Sequence, residues 1–205
     1  MNDKNFFLII FILIVFGCSQ SEPKIFAQTQ NYPEELQQLH KNVLTSILAE
    51  TPDLKEVETL LADINENGSW TNIDYYSKQR GAWQPVKHLT NVLQIAKAYQ
   101  TPETNLYQEE EVSKKIHLAL NYWFNNDFIC PNWWYPVIGV PMTLNPIMIL
   151  MEQELSEEQI EKAMVILNRC EIGRTGQNKV WQSGNVLLTS LFIKDIEMVK
   201  KASAS

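Results

Sequence analysis

Apolar residues recur at three-to-four-residue spacing in one segment after another, and this pattern constrains the fold more than any other feature of the chain. Leu36, Leu39, Val43, Leu44, Ile47 and Leu48 form the first stripe, the spacing that lines one face of a 3.6-residue helix. Thr51-Pro52 gives a stop and a fresh start. Leu54, Val57, Leu60, Leu61 and Ile64 form a second stripe, ended by Asn67-Gly68. The stretch from Ser69 to Pro85 is rich in aromatic and polar residues and reads as a loop. Val86, Leu89, Val92, Leu93, Ala96 and Tyr99 then predict a third helix, and Val112, Ile116, Ala119, Leu120 and Trp123 a fourth. Met142 to Glu154 reads as a fifth. Ser156-Glu157-Glu158-Gln159 is a capping box that opens a sixth, with Ile160, Met164 and Leu167 as its stripe. Asn178 to Lys194 reads as a seventh. No segment of useful length alternates with the period of two that a strand requires. The expected fold is all-α, built of helical hairpins, because short connections favour antiparallel neighbours. A row of such hairpins can curl into an open toroid. Periodicity alone carries no function.

The chain of 205 residues, with 45% hydrophobic and 10% aromatic residues, can bury one sizeable core. Its formal charge of −7 argues against nucleic acid as a partner, and an anionic polymer would have to be held by a local basic patch. Ahead of the helical stripes lies an export signal. Lys4 precedes an unbroken apolar run from Phe6 to Phe16, far shorter than the ~20 residues a membrane-spanning helix needs. Val15-Phe16-Gly17-Cys18 resembles a bacterial lipobox, in which Cys18 would be lipidated after cleavage. Ordinary cleavage after Ala27, in Ile25-Phe26-Ala27, is the alternative. Either route exports the protein, as a periplasmic or cell-surface lipoprotein or as a secreted one. Contact with a membrane is expected only through a lipid anchor. Residues 1–27 are thus the export segment, and residues 28–205 the folded part.

Cys130 and Cys170 lie in or beside apolar helical segments and read as buried free thiols. His40, His88 and His117 are scattered, with no metal-ligand spacing. No metal and no cofactor is expected.

The connecting segments carry more chemistry. Asn132-Trp133-Trp134-Tyr135-Pro136 puts three aromatics together in a predicted loop. On an extended segment neighbouring residues face opposite ways, so both indoles would not easily enter one core. Two roles compete: anchoring the loop in the core, or stacking on sugar rings through their apolar C–H faces. Arg174-Thr175-Gly176-Gln177-Asn178-Lys179 follows. Gly176 permits a turn, and Gln177 and Asn178 open the next helix, where free N–H groups and the dipole favour anions. Arg174 and Lys179 add positive charge, which suits a carboxylate-bearing substrate; a plain helix cap with a solvated flank is the alternative. Gly68 to Trp83, taken alone, reads as an Ω-like loop pinned by its aromatics.

Taken in chain order, these segments resemble the N-terminal helical domain of the family 8 polysaccharide lyases, which includes chondroitin AC, hyaluronate and xanthan lyases. Gly68-Ser-Trp-Thr-Asn-Ile-Asp-Tyr75 followed by His88-Leu89-Thr90 looks like an early "DGSWPDIDY…HL" signature. Asp127-Phe-Ile-Cys-Pro-Asn-Trp-Trp134 followed by Ile138-Gly139-Val140-Pro141 looks like "NWW…IGTP". Thr175-Gly-Gln-Asn178 looks like "TGAN" or "TGQN". The resemblance runs from about residue 35 to about residue 195.

The resemblance implies an incomplete α/α toroid and eliminative cleavage of an acidic, uronate-containing polysaccharide. The C5 proton is removed beside the carboxylate, and the C4 oxygen departs. That carboxylate must be neutralised as charge develops. By resemblance Asn178 has this role, Trp133 and Trp134 form the aromatic patch that holds the sugar chain, and Asn132, Gln177 and Arg174 line the same site. In the family a His and a Tyr, serving as base and acid, and a later Arg follow the Asn motif. Here no His or Tyr follows Asn178. The chain is therefore expected to be a fragment without a competent active site, with the remaining C-terminal part of the lyase as a partner. A non-catalytic carbohydrate-binding surface lipoprotein is the alternative. A helical scaffold for a protein partner is a third reading, and it requires Trp133 and Trp134 to be buried.

Overall fold

A computed structural model describes residues 33–205; the expected export segment, residues 1–27 with Cys18, lies outside them. Among the described residues the chain forms eight α-helices and no sheet. These are α1 (Glu34–Ile47), α2 (Leu54–Ala62), α3 (Val86–Gln100), α4 (Glu110–Asn126), α5 (Val140–Leu150), α6 (Glu157–Leu167), α7 (Gln177–Phe192) and α8 (Ile196–Ser203). A π-helical turn, Tyr135–Gly139, runs directly into α5. The sole strand-like feature among them is one isolated antiparallel bridge between Ile64 and Trp70.

The predicted stripes turn inward on their helices, buried on α2 to α7 but only half-buried on α1. α2 starts on Asp53, whose carboxylate accepts from the amides of Lys55 and Glu56; such a cap satisfies donors that the first turn leaves free. α6 starts on the expected capping box, with Ser156 and Gln159 each accepting the other's backbone N–H at 3.2 Å. Successive helices pack in pairs: α2 on α3, α3 on α4, α5 on α6 and α7 on α8. The apolar helix α5 lies centrally and touches α1, α3, α6 and α7. Leu144, Ile147 and Met148 of α5 have no exposed surface at all.

The segment between α2 and α3 has no regular structure, yet it is fixed. Trp70 and Trp83 are buried at 1% and 2% exposure. The indole N–H of Trp70 donates to the Leu60 carbonyl, and that of Trp83 to the Ser77 carbonyl. The hydroxyl of Tyr75 accepts from the Trp70 amide and donates to Nδ1 of His88, whose Nε2–H donates to the Ala119 carbonyl. Gly68 is required here twice over. Its φ is +89°, and a Cβ would stand 2.3 Å from the Leu118 carbonyl oxygen.

Three expectations need correction. The segment bearing Trp133 and Trp134 is not extended: Trp134 already has helical dihedrals, at φ −60° and ψ −40°. Two prolines in the stretch, Pro136 and Pro141, lack amide donors, and the backbone takes the wider π turn there. The fifth helix spans Val140–Leu150 rather than Met142 to Glu154. It ends early because Gln100 of α3 takes the Leu150 carbonyl at 2.8 Å, and the amides of Glu154 and Leu155 both turn back to Met151. Finally, α8 follows α7, with Asp195 as its cap accepting from the Met198 amide.

Candidate functional site

The site is assembled from three connecting segments held against the first half of α7. The stretch Cys130 to Trp134 is tied to the aromatic loop. The side-chain amide of Asn132 donates to the Arg80 carbonyl at 2.8 Å and accepts the Trp134 amide at 3.1 Å. Arg80 in turn donates to the Pro131 carbonyl. Asn132 is therefore the clamp that starts the helical turn beneath the two tryptophans.

The tryptophan pair divides between two environments. Trp134 is half-buried over Gly139, where a Cβ would come within 2.5 Å of its ring. Its ring meets Trp181 of α7 edge-on, with centroids 5.7 Å apart. Trp133 is 40% exposed. The guanidinium of Arg174 lies over its ring, 4.2 Å from the centroid, a cation–π arrangement. The protein-scaffold reading required both indoles to be buried, and Trp133 is not.

Helix α7 organises what faces it. Gly176 precedes it at φ 58° and ψ −142°, a conformation open essentially to glycine alone, and no side chain caps the helix there. The amides of Gln177 and Asn178 thus lie at an uncapped, positive helix end. Asn178, Trp181, Gln182 and Asn185 recur at helical spacing on one face of α7. Gln182 is buried, and its side-chain oxygen accepts the amides of both Gly173 and Arg174. Asn185 is buried and donates to the Ile138 carbonyl in the π turn. One helix face therefore holds both the arginine loop and the tryptophan turn.

The sequence-predicted residues come together as follows. Trp133 meets Arg174, and Trp134 meets Trp181 one helical turn beyond Asn178. Gln177 is exposed and Asn178 half-buried. Reading the sequence missed Trp181, Gln182 and Asn185. Trp181 follows the Thr-Gly-Gln-Asn motif by one turn, which was the available signal; Gln182 and Asn185 look like ordinary polar helix residues in sequence.

The histidines are engaged elsewhere. His40 pairs with Glu152 at 2.9 Å, and His117 hydrogen-bonds Gln159 at 3.0 Å. His88 is buried, and burial pushes its pKa down to about 4 against the opposing bond to Ala119. Cys130 and Cys170 are buried and unpaired, and burial drives the Cys170 thiol up to about 11. Among the described residues, no three His, Cys, Asp or Glu side chains gather as a metal site would require.

The N-terminal α-helical domain of polysaccharide lyase family 8 matches residues 27–205. The chain belongs to that family. It is 27% identical over 175 residues to a chondroitinase-AC of Pedobacter heparinus, an alignment covering 83% of this chain and 25% of that enzyme. It is 28% identical over 151 residues to a xanthan lyase of Bacillus sp. strain GL1, covering 69% of this chain and 16% of the relative. A solved structure of a chondroitinase AC lyase superposes with a TM-score of 0.73 at 24% identity, over 80% of this chain and 26% of that one. The chain thus spans about a quarter or less of the length of these relatives. Its all-α hairpins match the family's N-terminal helical domain.

Proposed function

We propose that the face formed by Trp133, Trp134, Trp181 and the start of α7 binds an acidic, uronate-containing polysaccharide. The observation that carries this is the convergence of the two tryptophans with Arg174 and the uncapped end of α7. Exposed indole takes the apolar face of a sugar ring. The cation and the free helix amides take a carboxylate. Within the family's eliminative reaction, Asn178 would hydrogen-bond the carboxylate beside C5, where negative charge grows as the proton leaves. Such a contact strengthens in the transition state and so acts more on rate than on affinity.

Among the described residues, no histidine stands free at this face to serve as a base. His40 is held by Glu152, His117 by Gln159, and His88 by Tyr75 and Ala119. General acid–base catalysis contributes about 10²–10⁴-fold in enzymes, and these engaged histidines are not placed to supply it. We therefore expect binding without turnover. The test pairs two readouts on unsulfated chondroitin and on xanthan: retardation of the chain in glycan-containing gels, and ultraviolet absorbance of the unsaturated uronate that elimination would release. Retardation with no rise in absorbance supports the reading. Sustained absorbance from this chain alone would show that a base has been overlooked. No retardation on either polymer would remove the binding role.

A further inference from the structure

The three arginines of the chain are not used alike. Arg169 forms a two-point pair with the Asp127 carboxylate, and Arg80 donates to the Pro131 carbonyl. The guanidinium of Arg174 meets no carboxylate and no carbonyl among the described residues; its side-chain contact is the flat ring of Trp133. Its position is nevertheless fixed from both ends. Gln182, 3% exposed, accepts the Arg174 amide at 3.0 Å and the Gly173 amide at 3.3 Å. A buried glutamine that spends its oxygen on this loop sets where the side chain departs. The indole then sets where it arrives, with the guanidinium 4.2 Å from the ring centroid.

This arrangement has a chemical consequence. A guanidinium on an aromatic face spends its apolar plane on the ring and keeps its N–H edge available, and that edge matches a carboxylate in two-point fashion. The stacking also removes much of the rotamer freedom that an exposed arginine would otherwise lose on binding. The stacked guanidinium takes up part of the Trp133 ring, yet 40% of the residue stays open for a sugar. Indole and guanidinium therefore present an apolar surface and an anion receptor side by side, in a chain whose net charge is −7.

We propose that Arg174 determines specificity at this site: held on Trp133 and backed by Gln182, it reads a carboxylate on the bound glycan and so selects acidic chains over neutral ones of the same shape. The inference rests on the site binding a glycan at all. Asn178 acts at the reacting sugar in the reading above, whereas Arg174 acts on affinity and on the choice of polymer.

The probes are unsulfated chondroitin oligosaccharides and the same oligosaccharides with their carboxyl groups reduced to alcohols, titrated into the chain and into its Arg174→Gln, Arg174→Lys and Trp133→Ala variants. Arg174 is exposed, so Arg174→Gln should retain the helical circular-dichroism spectrum and unfolding midpoint of the parent. The parent should favour the acidic form. Arg174→Gln should weaken binding of the acidic form by roughly tenfold or more, the usual scale for a lost charge-assisted hydrogen bond, and leave the reduced form within about twofold. Arg174→Lys should fall between, since an ammonium keeps the charge but not the two-point edge. Equal weakening of both forms by Arg174→Gln, or tighter binding of either, would overturn the proposal and reduce Arg174 to a cover on Trp133. If Trp133→Ala weakens both forms while Arg174→Gln leaves the preference intact, only the role of Arg174 fails. If Trp133→Ala weakens neither, the glycan lies elsewhere and the reading of the whole site fails with it.

Discussion

Asn185 donates its side-chain amide to the carbonyl of Ile138 at 3.1 Å, joining the middle of α7 to the π turn that carries the tryptophan pair. The bond belongs to a buried chain. Asn145 of α5 donates to the Asn185 carbonyl, and Thr189 donates to the side-chain oxygen of Asn145. Asn185 thus gives a carbonyl of the π turn a donor from the facing helix. Asn185→Leu removes this bond between α7 and the π turn, at a cost of about 0.5–1.5 kcal/mol. Urea unfolding should show this loss, together with a change in tryptophan emission as Trp134 shifts against Trp181. Unchanged stability and emission would mean that water reaches this carbonyl and that Asn185 does not hold the turn.

Gly139 lies under the Trp134 ring, where a Cβ would stand 2.5 Å from the nearest ring carbon. Gly139→Ala should therefore displace the indole. Overpacking of this kind costs about 1–3 kcal/mol. Glycan affinity should fall alongside stability, because Trp134 is pushed against Trp181 or out of its place. A variant that binds and unfolds like the parent would show that the indole has room to slide and that its position is not set by the glycine.

His88 gives the fold a signed dependence on pH. Its ring is neutral in the folded chain, with a pKa of about 4 caused first by burial. In the unfolded chain it titrates near 6.5. Between those values the unfolded state binds a proton that the folded state refuses, so stability is lost as pH falls through this window. The contribution of this residue is roughly 3 kcal/mol and is fully present above about pH 6.5. Comparing urea midpoints of the parent and His88→Gln from pH 7 to pH 4.5 isolates the term. The parent should lose stability more steeply than the variant. Parallel curves would place the titration elsewhere.

The helices were legible because burial of one face demands the three-to-four spacing, and Ser156 with Gln159 announced α6 in advance. The π turn was not legible. Asn132 to Pro136 reads as a loop in sequence, whereas in the fold this backbone is helical and meets Asn185 and Trp181 of α7. α8 was hidden because its Asp195 cap follows directly on the α7 pattern, and Ile196, Val199 and Ala202 read as a trailing flank. At the site, Trp133, Trp134, Arg174 and Asn178 stood out as aromatic, cationic and amide residues between helices. Gln182 and Asn185 did not, since a polar residue that serves a distant backbone carries no local mark.

If the chain is exported as expected, its first 17 to 27 residues should be absent from the mature protein, depending on the cleavage site. Mass spectrometry of the membrane fraction should find the chain beginning at a diacylglycerol-modified Cys18. An unmodified chain beginning at Gln28 would favour ordinary cleavage after Ala27. Retention of Met1 would contradict export by either route.

The central claim, that the tryptophan face binds an acidic glycan, is tested most directly by calorimetric titration of unsulfated chondroitin oligosaccharides into the chain and its Trp133→Ala, Trp134→Ala and Asn178→Ala variants. Each tryptophan removed should cost about 1–3 kcal/mol of binding, taking aromatic stacking on nucleic-acid bases as the scale. Asn178→Ala should cost less, because its contact matters chiefly to the developing charge. Undiminished binding by both tryptophan variants, with their helical content intact, would contradict the account.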